Sequence, residues 1–147
     1  MNKIRVIHII TTLNFGGAEK QLVILAREQI TLGYEVFVVP IKGLGELETT
    51  LALLGANVKN EFSNIFFARI AFGLHRFIRK NPDLIVHAHL PRAELVSRFA
   101  LWFLSNPFLV TRHNSEQFFP KSTKLISRII SRWVVRRANA TIAISAA

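Results

Sequence analysis

Cysteine is missing from all 147 residues, which excludes disulfides and thiolate-bound metal and agrees with the reducing cytoplasm expected as this chain's compartment. Long apolar runs are missing too. The N-terminus MNKIRVIHIITTLN holds a single seven-residue run interrupted by Arg5, too short for a signal-peptide core or a spanning helix. Glycine (seven) and proline (five) are sparse and scattered, forming no linker, and no fixed-period repeat occurs, so nothing marks an internal domain boundary. Acid is scarce: nine Asp and Glu face nineteen Lys and Arg, a formal charge of +10 whose field attracts anions. Nucleic acid, acidic lipid and phosphorylated substrates all satisfy that field. No motif of an RNA or DNA reader accompanies it, so only weak, nonspecific association with nucleic acid is expected.

What is present is a hydrophobic half of the chain, enough at this length to bury one core. Short β-rich runs alternate with stretches of helical period, the pattern of βα units around a parallel sheet. Strands are expected at Ile4–Ile10, Glu35–Ile41, Ala56–Phe62, Leu84–Ala88, Phe108–Arg112 and Thr141–Ile144. Helices are expected at Gly17–Leu32, Glu46–Leu54, Asn64–Lys80, Pro91–Leu104 and Ser122–Arg137. Gly33 and Gly55 end the first two, Asn81-Pro82 stops the third, and Pro91 opens the fourth. Right-handed crossovers then give an α/β, Rossmann-like, doubly wound parallel sheet of order 3-2-1-4-5-6 with helices on both faces. Ligands of such sheets bind beyond the carboxyl ends of the strands, where the winding reverses.

The loop TTLNFGGAEKQL follows the first strand at that point. A nicotinamide site would need G-x-G-x-x-G here and an acid at the end of the second strand; instead the chain has Gly16-Gly17 and Pro40-Ile41-Lys42, which argues against a dinucleotide dehydrogenase. Two readings of the glycines stay open. Their free N–H groups at a helix start can hold a phosphate, or they serve a sharp turn and close packing.

The fourth strand ends in LIVHAHLPRAEL, where His87 and His89 share a face, and the fifth ends in FLVTRHNSEQF, with His113 just past its tip. Neighbouring strands would gather these three imidazoles at one edge near the glycine loop. Three histidines can ligate zinc, but no H-E-x-x-H accompanies them, and no metal is expected. His8 and His75 are assigned to structure, as is hydrogen bonding within the fold for His87; His113 is the functional candidate.

In KSTKLISRIISRWVVRR, cations at Lys121, Lys124, Arg128, Arg132 and Arg136 lie opposite Ile126, Ile129, Ile130 and Trp133, an outer stripe over a buried inner one. In NIFFARIAFGLHRFIRK, Phe72 falls on the basic side with Arg69 and Arg76, near Lys80, while Phe66, Ile70, Leu74 and Phe77 face elsewhere. An aromatic among arginines suits an anionic bilayer interface; equally, Phe72 could cover a neighbouring loop.

Taken in order, GGAEKQL, VHAHLPRAEL, TRHN and ANATIAIS resemble the N-terminal half of retaining, GT-B type glycosyltransferases of family 4 over essentially the whole chain. The resemblance implies an acceptor-side domain over residues 1–147 whose donor-binding partner domain is absent, so that the fragment alone is inactive. It implies that Gly16 and Gly17 approach the donor diphosphate, that His113 positions the transferred sugar, and that Asn14, His89, Arg92 and Asn114 line the acceptor cleft. The nucleotide sugar is then a substrate, and neither metal nor cofactor is required. The acceptor would be a lipid-linked or cell-envelope glycan at the inner membrane face, with Arg69, Phe72, Arg76 and Lys80 as the membrane patch. An exposed interdomain face would permit self-association. The competing expectation is a basic membrane- or partner-binding adaptor without catalysis.

Overall fold

A computed structural model describes residues 3–43, 45–63, 65–113 and 124–144. In chain order the elements are β1 (Arg5–Ile10), α1 (Gly17–Thr31), β2 (Glu35–Pro40), α2 (Leu47–Leu53), β3 (Asn57–Val58), a 3-10 turn (Asn60–Phe62), α3 (Phe67–Arg79), β4 (Ile85–His89), α4 (Pro91–Ala100), β5 (Phe108–His113), α5 (Lys124–Val135) and β6 (Ala140–Ile144). The six strands form one parallel sheet in the order β3-β2-β1-β4-β5-β6. This is the Rossmann-like doubly wound arrangement expected of the alternating pattern.

β1 is central, and its alternation divides the core. Ile7 and Ile9 join Phe37, Val39, Val86 and Ala88 under α3 and α4, where Ile70, Leu74, Ile78, Val96 and Ala100 are buried. Ile10 joins Val36 and Val38 under α1 and α2, against Leu22, Ala26, Leu47 and Leu51. Each such side chain contributes about 1.5–3 kcal/mol when fully withdrawn from water, so covering both faces is what stabilises the sheet. Gly33 and Gly55 end α1 and α2 with φ of 86° and 97°, the left-handed cap expected of them.

Three expected spans and one expected face differ. The third strand is only Asn57–Val58, paired with Phe37 and Val38; the chain then turns so that Phe62 enters the core against Gly73. α3 starts at Phe67, which leaves Phe66 outside the helix and 76% exposed. α4 ends at Ala100 because Phe103 adopts φ 61°, which no helix continues. On α5, Ile130 and Trp133 pack against the core as expected, but Ile126 and Ile129 are exposed while Ser127 and Val134 are buried, so only part of the expected inner stripe faces inward.

A partly buried ion pair joins three elements on this side of the sheet. Arg112 Nη2 donates to Glu94 Oε2 at 2.9 Å and its Nη1 donates to Ser131 Oγ at 2.6 Å, joining α4, β5 and α5. Burial raises the Glu94 carboxyl above its usual range, against the opposing hydrogen bond and charge of Arg112. Glu94→Ala is expected to cost about 2 kcal/mol in urea unfolding. That is below the ~3–5 kcal/mol of a fully buried pair, because Arg112 keeps about a third of its side chain in water (32%). Glu94→Gln, which removes the charge but keeps an acceptor, should cost less.

Candidate functional site

The loop from Thr11 to Gly16 leaves the carboxyl end of β1 at the point where the winding reverses. Leu13 is fully buried and anchors it, and the Leu13 carbonyl accepts from Leu47 N at 3.0 Å. Asn14 and Phe15 are exposed beyond that anchor. Gly16 caps α1 in extended geometry, φ −152° and ψ 170°, and its carbonyl accepts from Lys20 N at 3.0 Å. Any residue adopts that geometry, and Gly17 is not left-handed either, so a positive-φ turn does not explain the pair. What distinguishes Gly17 is space: a Cβ built there meets no atom within 4 Å.

Beneath Gly16 lies the Glu19 carboxylate, 8% exposed, which accepts from Thr12 Oγ1 at 2.8 Å. A side chain at Gly16 would overlap that carboxylate. An acid in the first turn is favoured by the helix dipole, and here it also tethers the loop to the helix it precedes.

At the end of β4, His87 and His89 do share a face, but the third imidazole beside them is His8 of β1, through the register His8↔His87. The ligand-capable nitrogens of these three lie within 4.8 Å of one another, the closest approach to a metal-ligand set among the described residues. They are engaged in hydrogen bonds. His8 Nε2 lies 2.7 Å from Gln29 Oε1 and its Nδ1 3.0 Å from His89 Nε2, while His87 Nε2 is 2.7 Å from Thr111 Oγ1. With Gln29 Oε1 as acceptor, His8 donates from Nε2 and its Nδ1 must accept, which makes His89 the donor at Nε2. Burial holds His8 down at about 4, with the Gln29 bond opposing. Burial, and then repulsion from His8, hold His87 at about 3. At neutral pH His8 and His87 therefore supply hydrogen bonds and no positive charge.

The expected site residues are placed unevenly. Arg92 is exposed in the first turn of α4, and Asn14 is exposed on the β1 loop. His89, expected on a cleft wall, is 3% exposed and packs into the histidine cluster instead. Directly after it Leu90 turns the chain with φ 74°, a geometry that costs about 1–3 kcal/mol for a side chain with a Cβ. His113 is the last residue of β5, paired in register with Ile144; Asn114 lies outside the described residues. Arg69, Phe72, Arg76 and Lys80 are all exposed along α3, with the Arg76 guanidinium 5.9 Å from the Phe72 ring centre. Arg69, Phe72 and Arg76 border an open groove of about 530 Å³ that also touches Glu61 and Ile65.

Residues 15–147 match the family described as Glycosyltransferase Family 4. The chain belongs to glycosyltransferase family 4. Its fold matches HepE of Anabaena in complex with UDP (TM-score 0.72, 19% identity), covering 96% of this chain and 38% of that one. It likewise matches a glycosyltransferase from Rickettsia africae (0.70, 18%), covering 99% of this chain and 38% of that one. MurG of Acinetobacter baumannii matches at 0.69 and 12%, covering 99% of this chain and 44% of the other. The family 4 chain thus spans less than half the length of each, and at these identities the likeness is one of fold. No curated protein sequence matches it.

Three residues of this glycosyltransferase domain escape a reading of the sequence alone. Gly45 abuts the β1 loop so closely that a Cβ would collide with the Leu13 carbonyl and lie 2.5 Å from Asn14 N. Glu19 and His8 matter through partners supplied by the fold, Thr12 for one and Gln29 and His89 for the other. For Gly45 the only signal available was a second glycine cluster, GLG, in the loop after the second strand.

Proposed function

We propose that this family 4 domain is the acceptor-side half of a retaining sugar transferase that takes a nucleotide-sugar donor and a lipid-linked or envelope glycan acceptor. The observation that carries the reading is the bare backbone at Gly17, open for 4 Å, at the amino end of α1 and the switch point of the sheet. Main-chain N–H groups there, aided by the helix dipole, stabilise charge growing on the departing diphosphate. HepE, which shares this fold, binds UDP and UDP-glucose, and a uridine donor is the first to test.

In this reading His113, at the carboxyl tip of β5, positions the sugar, while Asn14 of the β1 loop and Arg92 of the first turn of α4 meet the acceptor. Exposed Arg69, Phe72, Arg76 and Lys80 turn toward the membrane that holds such an acceptor. The test joins the domain to a family donor-binding half and measures sugar transfer. Gly17→Val and His113→Ala are each expected to lower turnover about a hundredfold, the scale of losing one oriented donor at a developing charge. Circular dichroism should stay unchanged in both. Full turnover in either folded variant would remove that residue's role.

A further inference from the structure

Three histidines meet inside the sheet, at positions where apolar side chains would cost less to bury. His87 and His89 stand two apart on β4 and share a face, and the register His8↔His87 sets His8 of β1 beside them. His8 is fully buried and the other two are 3% exposed. The ring centres of His87 and His89 lie 4.2 Å apart, and that of His8 lies 5.1 and 5.2 Å from them. One ligand-capable nitrogen from each ring lies within 4.8 Å of the other two.

A tetrahedral zinc ion holds imidazole nitrogens at about 2.0–2.1 Å, and so about 3.3 Å from one another. His8 Nδ1 and His89 Nε2 already stand 3.0 Å apart. The widest gap in the triad, at most 4.8 Å, has to close by about 1.5 Å, an adjustment within the reach of ring rotation. Oxygen partners outside the triad already orient two of the rings. Gln29 Oε1, 2.7 Å from His8 Nε2, accepts its proton and turns the Nδ1 lone pair toward His89; Thr111 Oγ1, 2.7 Å from His87 Nε2, fixes the second ring. Such outer partners are what set the tautomer and direction of ligating histidines. Three imidazoles without a carboxylate suit zinc or cobalt(II), not magnesium or calcium, which take oxygen ligands.

We infer that His8, His87 and His89 form a binding site for one divalent ion of the zinc class, seated between β1, β4 and α1 with one imidazole nitrogen of each as ligand. On binding, the hydrogen bond between His8 and His89 gives way to two metal bonds, and the proton of the His89 ring moves from Nε2 to Nδ1. Three protein nitrogens leave the fourth position to a small oxygen ligand such as water. The ion joins the two central strands to the helix whose Gln29 braces His8, so it stabilises the folded chain by mass action. None of the residues that carry the transferase reading belongs to the site, which stands whether or not the chain transfers sugar.

The 147-residue chain, stripped with EDTA in urea and refolded with cobalt(II), tests the site. One equivalent should bind and give the intense visible bands of tetrahedral cobalt. Zinc should displace it and raise the melting temperature, whereas magnesium should do neither. His8→Gln and His89→Gln each keep a hydrogen-bonding side chain but remove a ligand nitrogen, so cobalt affinity should fall by more than about a hundredfold, the upper range for losing only an outer partner. His75→Gln, on α3 where the ring bonds the Ala100 carbonyl, should leave affinity unchanged. In the unaltered chain the ring-nitrogen resonances of His8, His87 and His89 should move on adding zinc, which reads the site even where a variant fails to fold. Missing tetrahedral bands, full affinity in either folded variant, or imidazole resonances that stay in place would overturn the site. So would an equal loss in His75→Gln, the sign of adventitious binding by scattered histidines.

Discussion

Gly45→Ala is expected to destabilise the domain by about 3 kcal/mol, the upper end of the cost of forcing a group into occupied space. The added carbon would meet main-chain atoms of Leu13 and Asn14, and neither can rotate away as a side-chain tip could. Relief requires the β1 loop and the chain entering α2 to separate, breaking the bond from Leu47 N to Leu13 O. Urea unfolding of the purified variant measures the loss. The informative comparison is Gly17→Ala, where the new methyl meets nothing within 4 Å and φ is unstrained, so stability should stay within about 0.5 kcal/mol. One glycine is required by the protein's own backbone; the other keeps a surface clear. If Gly17→Ala also unfolds the domain, the clear-surface account of that glycine fails.

Acid should destabilise this domain more steeply than its carboxylates alone would. Both His8 and His87 are neutral in the fold, with values near 4 and 3, but return to about 6.5 once unfolded. Between those values the unfolded chain binds protons that the folded chain refuses, so stability rises with pH. The full contribution is present above about pH 6.5 and is lost progressively as pH falls toward 4. For His8 alone, the fall from 6.5 to about 4 corresponds to about 3 kcal/mol. His87 adds to it less than independently, since part of its depression is repulsion from His8. Urea midpoints taken from pH 7.5 to 4.5 should slope downward, and His8→Gln should flatten the slope by about one proton. An unchanged slope in that variant would show that His8 is not among the groups taking up protons.

The sheet order was legible in the sequence because fully covered parallel strands must be apolar on both faces, and IRVIHII, EVFVV and FLV have no other use in a chain this size. The errors fall where apolar pattern and burial part company. Phe62 extended the apparent third strand, yet it is buried from a 3-10 turn, and an edge strand paired on one side needs no longer ladder. Ile126 and Ile129 have the spacing of an inner face, but periodicity reports which residues lie together and is silent on what covers them. That His8 joins His87 and His89 was not legible, because His8 and His89 stand 81 residues apart and meet only through the register of β1 with β4.

What the sequence by itself determined is therefore what local chemistry and period dictate: an α/β sheet, its winding, and helix ends at Gly33 and Gly55. Only the tertiary structure decided which glycine is confined and which is open, which imidazoles touch, and that Phe103 stands exposed. The reason is that these are properties of distance between segments remote in the chain, and distance is created by strand register and helix packing, which no single stretch of residues encodes.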